Sequence, residues 1–253
     1  TEAAVATVED ARARAALPEF QTIPAARTDE LAPAAAVDAK VFEGWARSQG
    51  DNGARRYSNL RQITKENVRD LEVAWTFHAE DGAANIQCTP IVVDGLLVAP
   101  TPGRALVAID AATGVERWRK KLELPRQMRP QDTPARRGLV YWPGDRANAP
   151  RILFGAGDWI YAVEPKTGAA IAGFGEGGRT PIATGATASG AVFEHVFVTT
   201  GINGDIYAYD VRSGKPLWQF RSVARGEDFG AETWDGPQAG ANGKLRAAVD
   251  HSK

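Results

Sequence analysis

The chain has 253 residues, 43% hydrophobic and 24% charged, a balance that fits a folded protein and not a disordered one. Its 30 Lys and Arg against 31 Asp and Glu leave no basic excess, which argues against a general nucleic-acid or polyanion binder. A single cysteine, Cys88, excludes an internal disulfide and a cysteine-built zinc site, and no apolar run approaches the roughly 20 residues of a membrane helix.

In chain order, residues 1–44 are rich in Ala, Pro and small polar residues and predict an irregular N-terminal arm or linker. Thr1–Leu17 has weak helical character; Pro18, Pro24 and Pro33 then favour extended chain. The chain begins with Thr1 and its only methionine is Met128, so a leader cannot be read directly. A short helix is predicted over Thr64–Leu71, with Thr64 as its N-cap. From Val73 onward short β-rich runs alternate with Gly, Asp and Asn turns. The first hairpin is Pro90–Val93, Asp94-Gly95, Leu96–Val98, because both turn residues tolerate positive φ.

The chain then repeats itself. Ala108-Ile109-Asp110-Ala111-Ala112-Thr113-Gly114 leads to Trp118. Ala162-Val163-Glu164-Pro165-Lys166-Thr167-Gly168 leads to Phe174, and Ala208-Tyr209-Asp210-Val211-Arg212-Ser213-Gly214 leads to Trp218. The three glycines are spaced 54 and 46 residues apart, the interval of a four-stranded propeller blade. The acidic residue can accept hydrogen bonds from the turn's N–H groups, and the glycine supplies the positive φ the turn needs. The tryptophan offers a large face to pack between sheets, so Trp118 and Trp218 are expected to be buried there. The middle repeat carries Ala172 at that offset, and Phe174 is expected to fill the space. The fold class is therefore all-β: a partial β-propeller of about three to four blades, spanning residues 45–242, with a divergent tail over 243–253.

The Ala-x-Asp-x-x-Thr-Gly-x-x-x-Trp repeat resembles the tryptophan-docking motif of quinoprotein dehydrogenases that use pyrroloquinoline quinone (PQQ). Four further segments carry the resemblance. The first combines Gly50-Asp51-Asn52-Gly53, Arg56–Leu60, Gln62-Ile63-Thr64, Asn67-Val68, Leu71 and Ala74–Phe77. The others are Gln87–Gly95, Arg137–Asp145, and Thr233–Gly236 with Gly240-Ala241-Asn242. The glucose-dehydrogenase-like branch is the most similar. The resemblance implies an eight-bladed propeller, of which this chain looks like the N-terminal part. After Asn242 the sequence departs from the family pattern, which suggests a truncated or frameshifted end.

The resemblance also implies site residues. Arg137 matches an arginine that pairs with a PQQ carboxylate, a task its two-pronged guanidinium suits; outside the motif it would read as a surface charge. Trp234 matches the tryptophan under the quinone, or else packs between blades. Gln87 matches a residue that hydrogen-bonds the quinone, and Thr187 and Thr200 fall near hydroxyl positions of the same pocket. Asn242 matches a calcium ligand, but calcium needs 6–8 oxygens. The loop where the family carries an acidic ligand reads Thr200–Asp205 without Glu, leaving Asn203 or Asp205 as substitutes. The family's catalytic base lies beyond this sequence, so no catalytic residue is assigned.

By the resemblance the parent protein oxidises an alcohol or aldose sugar, working in the periplasm and passing electrons to a quinone or cytochrome c. The chain alone is expected to be inactive. The alternative is a non-catalytic propeller scaffold similar to outer-membrane assembly lipoproteins. The ordered Arg137, Trp234 and Asn242 segments favour the enzyme, since a scaffold has no need of them.

Overall fold

The computed structural model describes Ala16 and residues 44–82, 87–103, 105–122, 137–186 and 188–223. The chain divides into two units, Thr1–Asp38 and Ala39–Lys253, and every element below belongs to the second. The expected helix over Thr1–Leu17, the arm's prolines, Thr187, Trp234, Asn242 and the tail lie outside the described residues.

Twelve strands form three four-stranded sheets, each an antiparallel meander. The first sheet contains β1 (Ile91–Val93), β2 (Leu96–Pro100), β3 (Ala105–Asp110) and β4 (Glu116–Lys121). The second contains β5 (Val140–Trp142), β6 (Arg151–Ala156), β7 (Trp159–Val163) and β8 (Arg179–Pro181). The third contains β9 (Ala191–Phe193), β10 (Val196–Thr200), β11 (Ile206–Asp210) and β12 (Pro216–Phe220). The first strands of the sheets are neighbours, with β5 touching both β1 and β9. The expected hairpin is present: Val93 faces Leu96, and Asp94 and Gly95 both have positive φ. These are three adjacent blades of a partial β-propeller.

The middle sheet is buried on both faces, which explains the unbroken apolar run in β6. On one side Ile152, Phe154, Tyr161 and Val163 pack with Ile91, Val98 and Leu106. On the other, Leu153, Ile160 and Ala162 pack with Phe197, Tyr207 and Tyr209. Alternation along β6 and β7 thus feeds two cores from one sheet.

The turn glycine of each blade is covered by an aromatic ring from an earlier part of the chain, Trp75 before the first blade and Trp118 and Phe174 from the preceding blades. A Cβ added to Gly114 would sit 2.7 Å from the ring of Trp75, and one on Gly168 would sit 2.6 Å from the ring of Trp118. The indole N–H groups reach carbonyls at matching positions: Trp75 Nε1 donates to Ala111 O at 3.2 Å, and Trp118 Nε1 donates to Pro165 O at 2.9 Å. At the third junction Phe174 covers Gly214 and is fully buried, as expected. Burying such a side chain stabilises by roughly 1.5–3 kcal/mol. Phenylalanine has no donor for the matching carbonyl, Val211 O. Arg151 supplies it: its guanidinium Nη1 donates to Val211 O at 3.1 Å and to Arg212 O at 2.6 Å. This side chain is only 2% exposed and stacks on Trp142, so a cation takes over the bond that the indole makes elsewhere.

Two expectations need correction. Trp118 is half-buried as its docking requires, but Trp218 is 49% exposed. Its counterparts Trp75 and Trp118 lie on Gly114 and Gly168, whereas no described glycine lies against Trp218. The segment Thr64–Leu71 is also not an α-helix. It holds a turn and a single 3-10 turn, Val68–Asp70, in which no residue is buried. Asn67 Oδ1 accepts from Thr64 N and Thr64 Oγ1 from Glu66 N, so local side-chain bonds hold a compact turn without an apolar face to extend it.

The acidic turn residues act as expected. Asp110 Oδ1 accepts from Ala112 N, Thr113 N and Thr113 Oγ1, while Arg117 pairs with Oδ2. Glu164 bonds the N–H groups of Lys166 and Thr167, and Asp210 those of Arg212 and Ser213. The hydrogen bond from Arg117, with those from Thr113, lowers the Asp110 pKa to about 2. Burial would raise that of Asp210, but the donors on Arg212 and Ser213 outweigh it and bring it to about 2 as well.

Two outcomes follow for stability. Gly168→Ala forces both a left-handed alanine and a clash with Trp118, whereas Gly95→Ala, with open space around its Cβ, carries only the backbone cost of about 1–2 kcal/mol. Urea unfolding should show Gly168→Ala worse by about 1–3 kcal/mol; equal losses would remove the docking role of the glycine. Because the folded pKa values of Asp110 and Asp210 lie below the ordinary 3.8, their stabilisation is present above pH 4 and lost as pH falls towards 2. Denaturation midpoints across that window should fall less steeply in Asp210→Asn than in the parent chain.

Candidate functional site

The innermost strands meet along one line, and the residues entering them form a shared rim. Thr89, just before β1, pairs in parallel with Gly138, just before β5. Gln87 and Arg137 therefore flank one junction between the first two blades. Both are exposed, with no hydrogen-bond or ion-pair partner among the described residues. Thr200 ends β10, and Ala186 bridges Gly201 beside it. The neighbouring Thr199 Oγ1 donates to Ala188 O at 3.4 Å, so Thr200 lies at the same end of the third blade, half-buried. The described fold thus places Gln87, Arg137 and Thr200 at one end of the inner strands.

Gly138 has a packing reason to be glycine. A Cβ there would stand 2.4 Å from both Ser48 Oγ and Ser189 Cβ. The loop that carries Arg137 is pressed between two serines. Cys88 sits in the same rim, and burial pushes its thiol up to about 12.

A strap formed by residues 45–52 crosses the inner strands of all three blades. Trp45 O accepts from Val92 N in the first, and Ala46 O from Tyr141 N in the second. Arg47 Nε donates to Gly190 O at 2.7 Å, and Asn52 Nδ2 to Val192 O at 2.7 Å, in the third. The sequence reading placed Gly50–Gly53 in a family signature but missed what Arg47, Ser48 and Asn52 do. No periodicity marks them, because their partners on the blades stand 41 to 143 residues away.

In the loop Thr200–Asp205 the side chains of Asn203 and Asp205 bond within the turn and to its neighbours. Asn203 Oδ1 accepts from Thr184 Oγ1 and Asp205 N, and Asp205 Oδ2 accepts from Asn203 Nδ2 and Gln219 Nε2. Ser222 N donates to Asp205 Oδ1. These oxygens hold the turn itself. Among the described residues no group of three or more His, Cys, Asp or Glu converges to hold a metal ion. A groove of about 630 Å³, lined by Arg47, Asp51, Tyr141, Trp142 and Glu194, runs along the far part of the inner strands and includes none of Gln87, Arg137 or Thr200.

Comparison with known proteins agrees with this architecture. Residues 45–251 match the family described as "PQQ: Glucose/ethanol/alcohol dehydrogenase, beta-propeller domain". The chain belongs to this family. It is 29% identical to quinoprotein glucose dehydrogenase A of Acinetobacter calcoaceticus, over 78% of this chain and 30% of that protein. It is 30% identical to methanol dehydrogenase [cytochrome c] subunit 1 of Paracoccus denitrificans, over 85% of this chain and 38% of that protein. The fold matches the crystal structure of quinohemoprotein alcohol dehydrogenase from Comamonas testosteroni with a TM-score of 0.58 at 24% identity, covering 76% of this chain and 31% of that one. The chain thus spans about a third of the length of these relatives.

Proposed function

We propose that this chain forms one sector of a PQQ-dependent dehydrogenase that oxidises an alcohol or an aldose sugar. The observation that supports it most directly is the parallel Thr89–Gly138 pairing, which brings together the segments that carry Gln87 and Arg137. A planar quinone with three carboxylates asks for a cation, hydrogen-bond donors and a flat apolar surface, and these residues fit the first two needs. Arg137 binds a carboxylate through its paired N–H groups. Gln87 donates to a quinone or carboxylate oxygen, and Thr200 and Thr187 add hydroxyls. Trp234 supplies the flat surface. When bound, such a quinone would supply the hydride-accepting chemistry.

Calcium is the metal we propose for the complete site, with Asn242 as one ligand. Asn203 and Asp205 already hold the turn by hydrogen bonds, and calcium needs 6–8 oxygens, so further ligands must come from other segments. We further propose a periplasmic location and a quinone or cytochrome c as electron acceptor; among the described residues no helix is long and apolar enough to cross a membrane.

Quenching of tryptophan fluorescence by PQQ tests the assignment. In the full-length protein Arg137→Ala should weaken binding by about tenfold or more, the scale of one charge-assisted hydrogen-bonded pair. Unchanged affinity would remove Arg137 from the site. The isolated chain leaves the quinone facing water on one side, where ion pairs are screened. It should bind no tighter than about 1 mM, equivalent to roughly 4 kcal/mol, and show no turnover. Saturable micromolar binding would make this sector a competent site by itself.

A further inference from the structure

We infer that Ser48 is a positioning residue that sets the separation of Gln87 and Arg137, an inference that rests on the functional reading above. Ser48 is fully buried and belongs to neither blade. Its hydroxyl donates to Thr89 O at 2.5 Å and accepts from Leu139 N at 3.0 Å. Its own backbone N–H donates to Leu139 O at 3.0 Å. Thr89 lies two residues after Gln87, and Leu139 two residues after Arg137. One side chain therefore ties together the two loops that carry the proposed quinone ligands, at the same offset from each.

The hydroxyl is suited to this because it is donor and acceptor at once. It gives its proton to one blade and takes a proton from the other, so it fixes the gap between them as well as the distance to each. Gly138 completes the arrangement: with no Cβ, its loop closes onto Ser48 Oγ until the parallel pairing with Thr89 forms. Ser189 presses on the same glycine from the third blade. A ligand held by two blades gains from such preorganisation, because its affinity depends on the spacing of groups that do not share a strand.

Asn52 provides the control. It belongs to the same strap and bonds the third blade at Val192 O, but touches neither ligand-bearing loop. In the full-length protein, PQQ dissociation constants and melting temperatures would be measured for the wild type, Ser48→Ala, Ser48→Cys and Asn52→Ala. Ser48→Ala should weaken PQQ binding by roughly 10–100-fold, the range seen when partners that orient ligands are removed. Ser48→Cys, which keeps a weak donor of similar size, should fall between it and the wild type, and serves as the readout if the alanine variant does not fold. Asn52→Ala should lower the melting temperature without changing the affinity. Equal loss of affinity in Ser48→Ala and Asn52→Ala, or none in Ser48→Ala and Ser48→Cys, would overturn the inference while leaving the functional reading intact. Failure of the wild type to bind PQQ would overturn that reading and this inference with it.

Discussion

An aromatic ring resting on the turn glycine of the next blade is the contact on which the structure depends. A four-stranded sheet has two faces to cover and cannot do so alone. Here each sheet presents a tight Thr/Ser-Gly turn whose missing Cβ leaves a flat seat, and an aromatic side chain from earlier in the chain fills it. The indole N–H then meets a turn carbonyl that would otherwise lack a partner. Packing and polar satisfaction are met by one residue. The third junction shows that the two tasks can be separated, since Phe174 does the packing and Arg151 makes the bond.

That solution places a guanidinium inside the protein. Arg151 lies between Trp142 and the carbonyls of Val211 and Arg212, and burial draws its pKa below the ordinary value although Asp145 and Asp210 oppose the shift. The charge is held by carbonyl oxygens and a ring face and has no direct carboxylate partner among the described ion pairs. Buried cations are tolerated only when their donors are used in this way.

Glycine docking joins adjacent blades by their turns, and the strap joins them along their inner strands. Inner strands are sheet edges with unpaired backbone groups, and residues 45–52 occupy some of them. The strap also reaches the rim where Gln87, Arg137 and Thr200 stand. The same few bonds thus fix the inner strands and the loops that precede them.

Local chemistry was legible in the sequence. The Asp94-Gly95 hairpin, the acidic residue bonding its own turn and the spacing of Gly114, Gly168 and Gly214 all depend on residues a few positions apart, so pattern alone determined them. Phe174 as the substitute aromatic was legible for the same reason. The motif around Arg137 singled it out, but the meeting of its segment with the one that carries Gln87 came from the pairing of Thr89 with Gly138. Arg151 as hydrogen-bond donor, Ser48 between two loops and the engaged oxygens of Asn203 and Asp205 were decided only by the tertiary structure. In each case the outcome rests on which distant backbone group is left without a partner, and no local period records that.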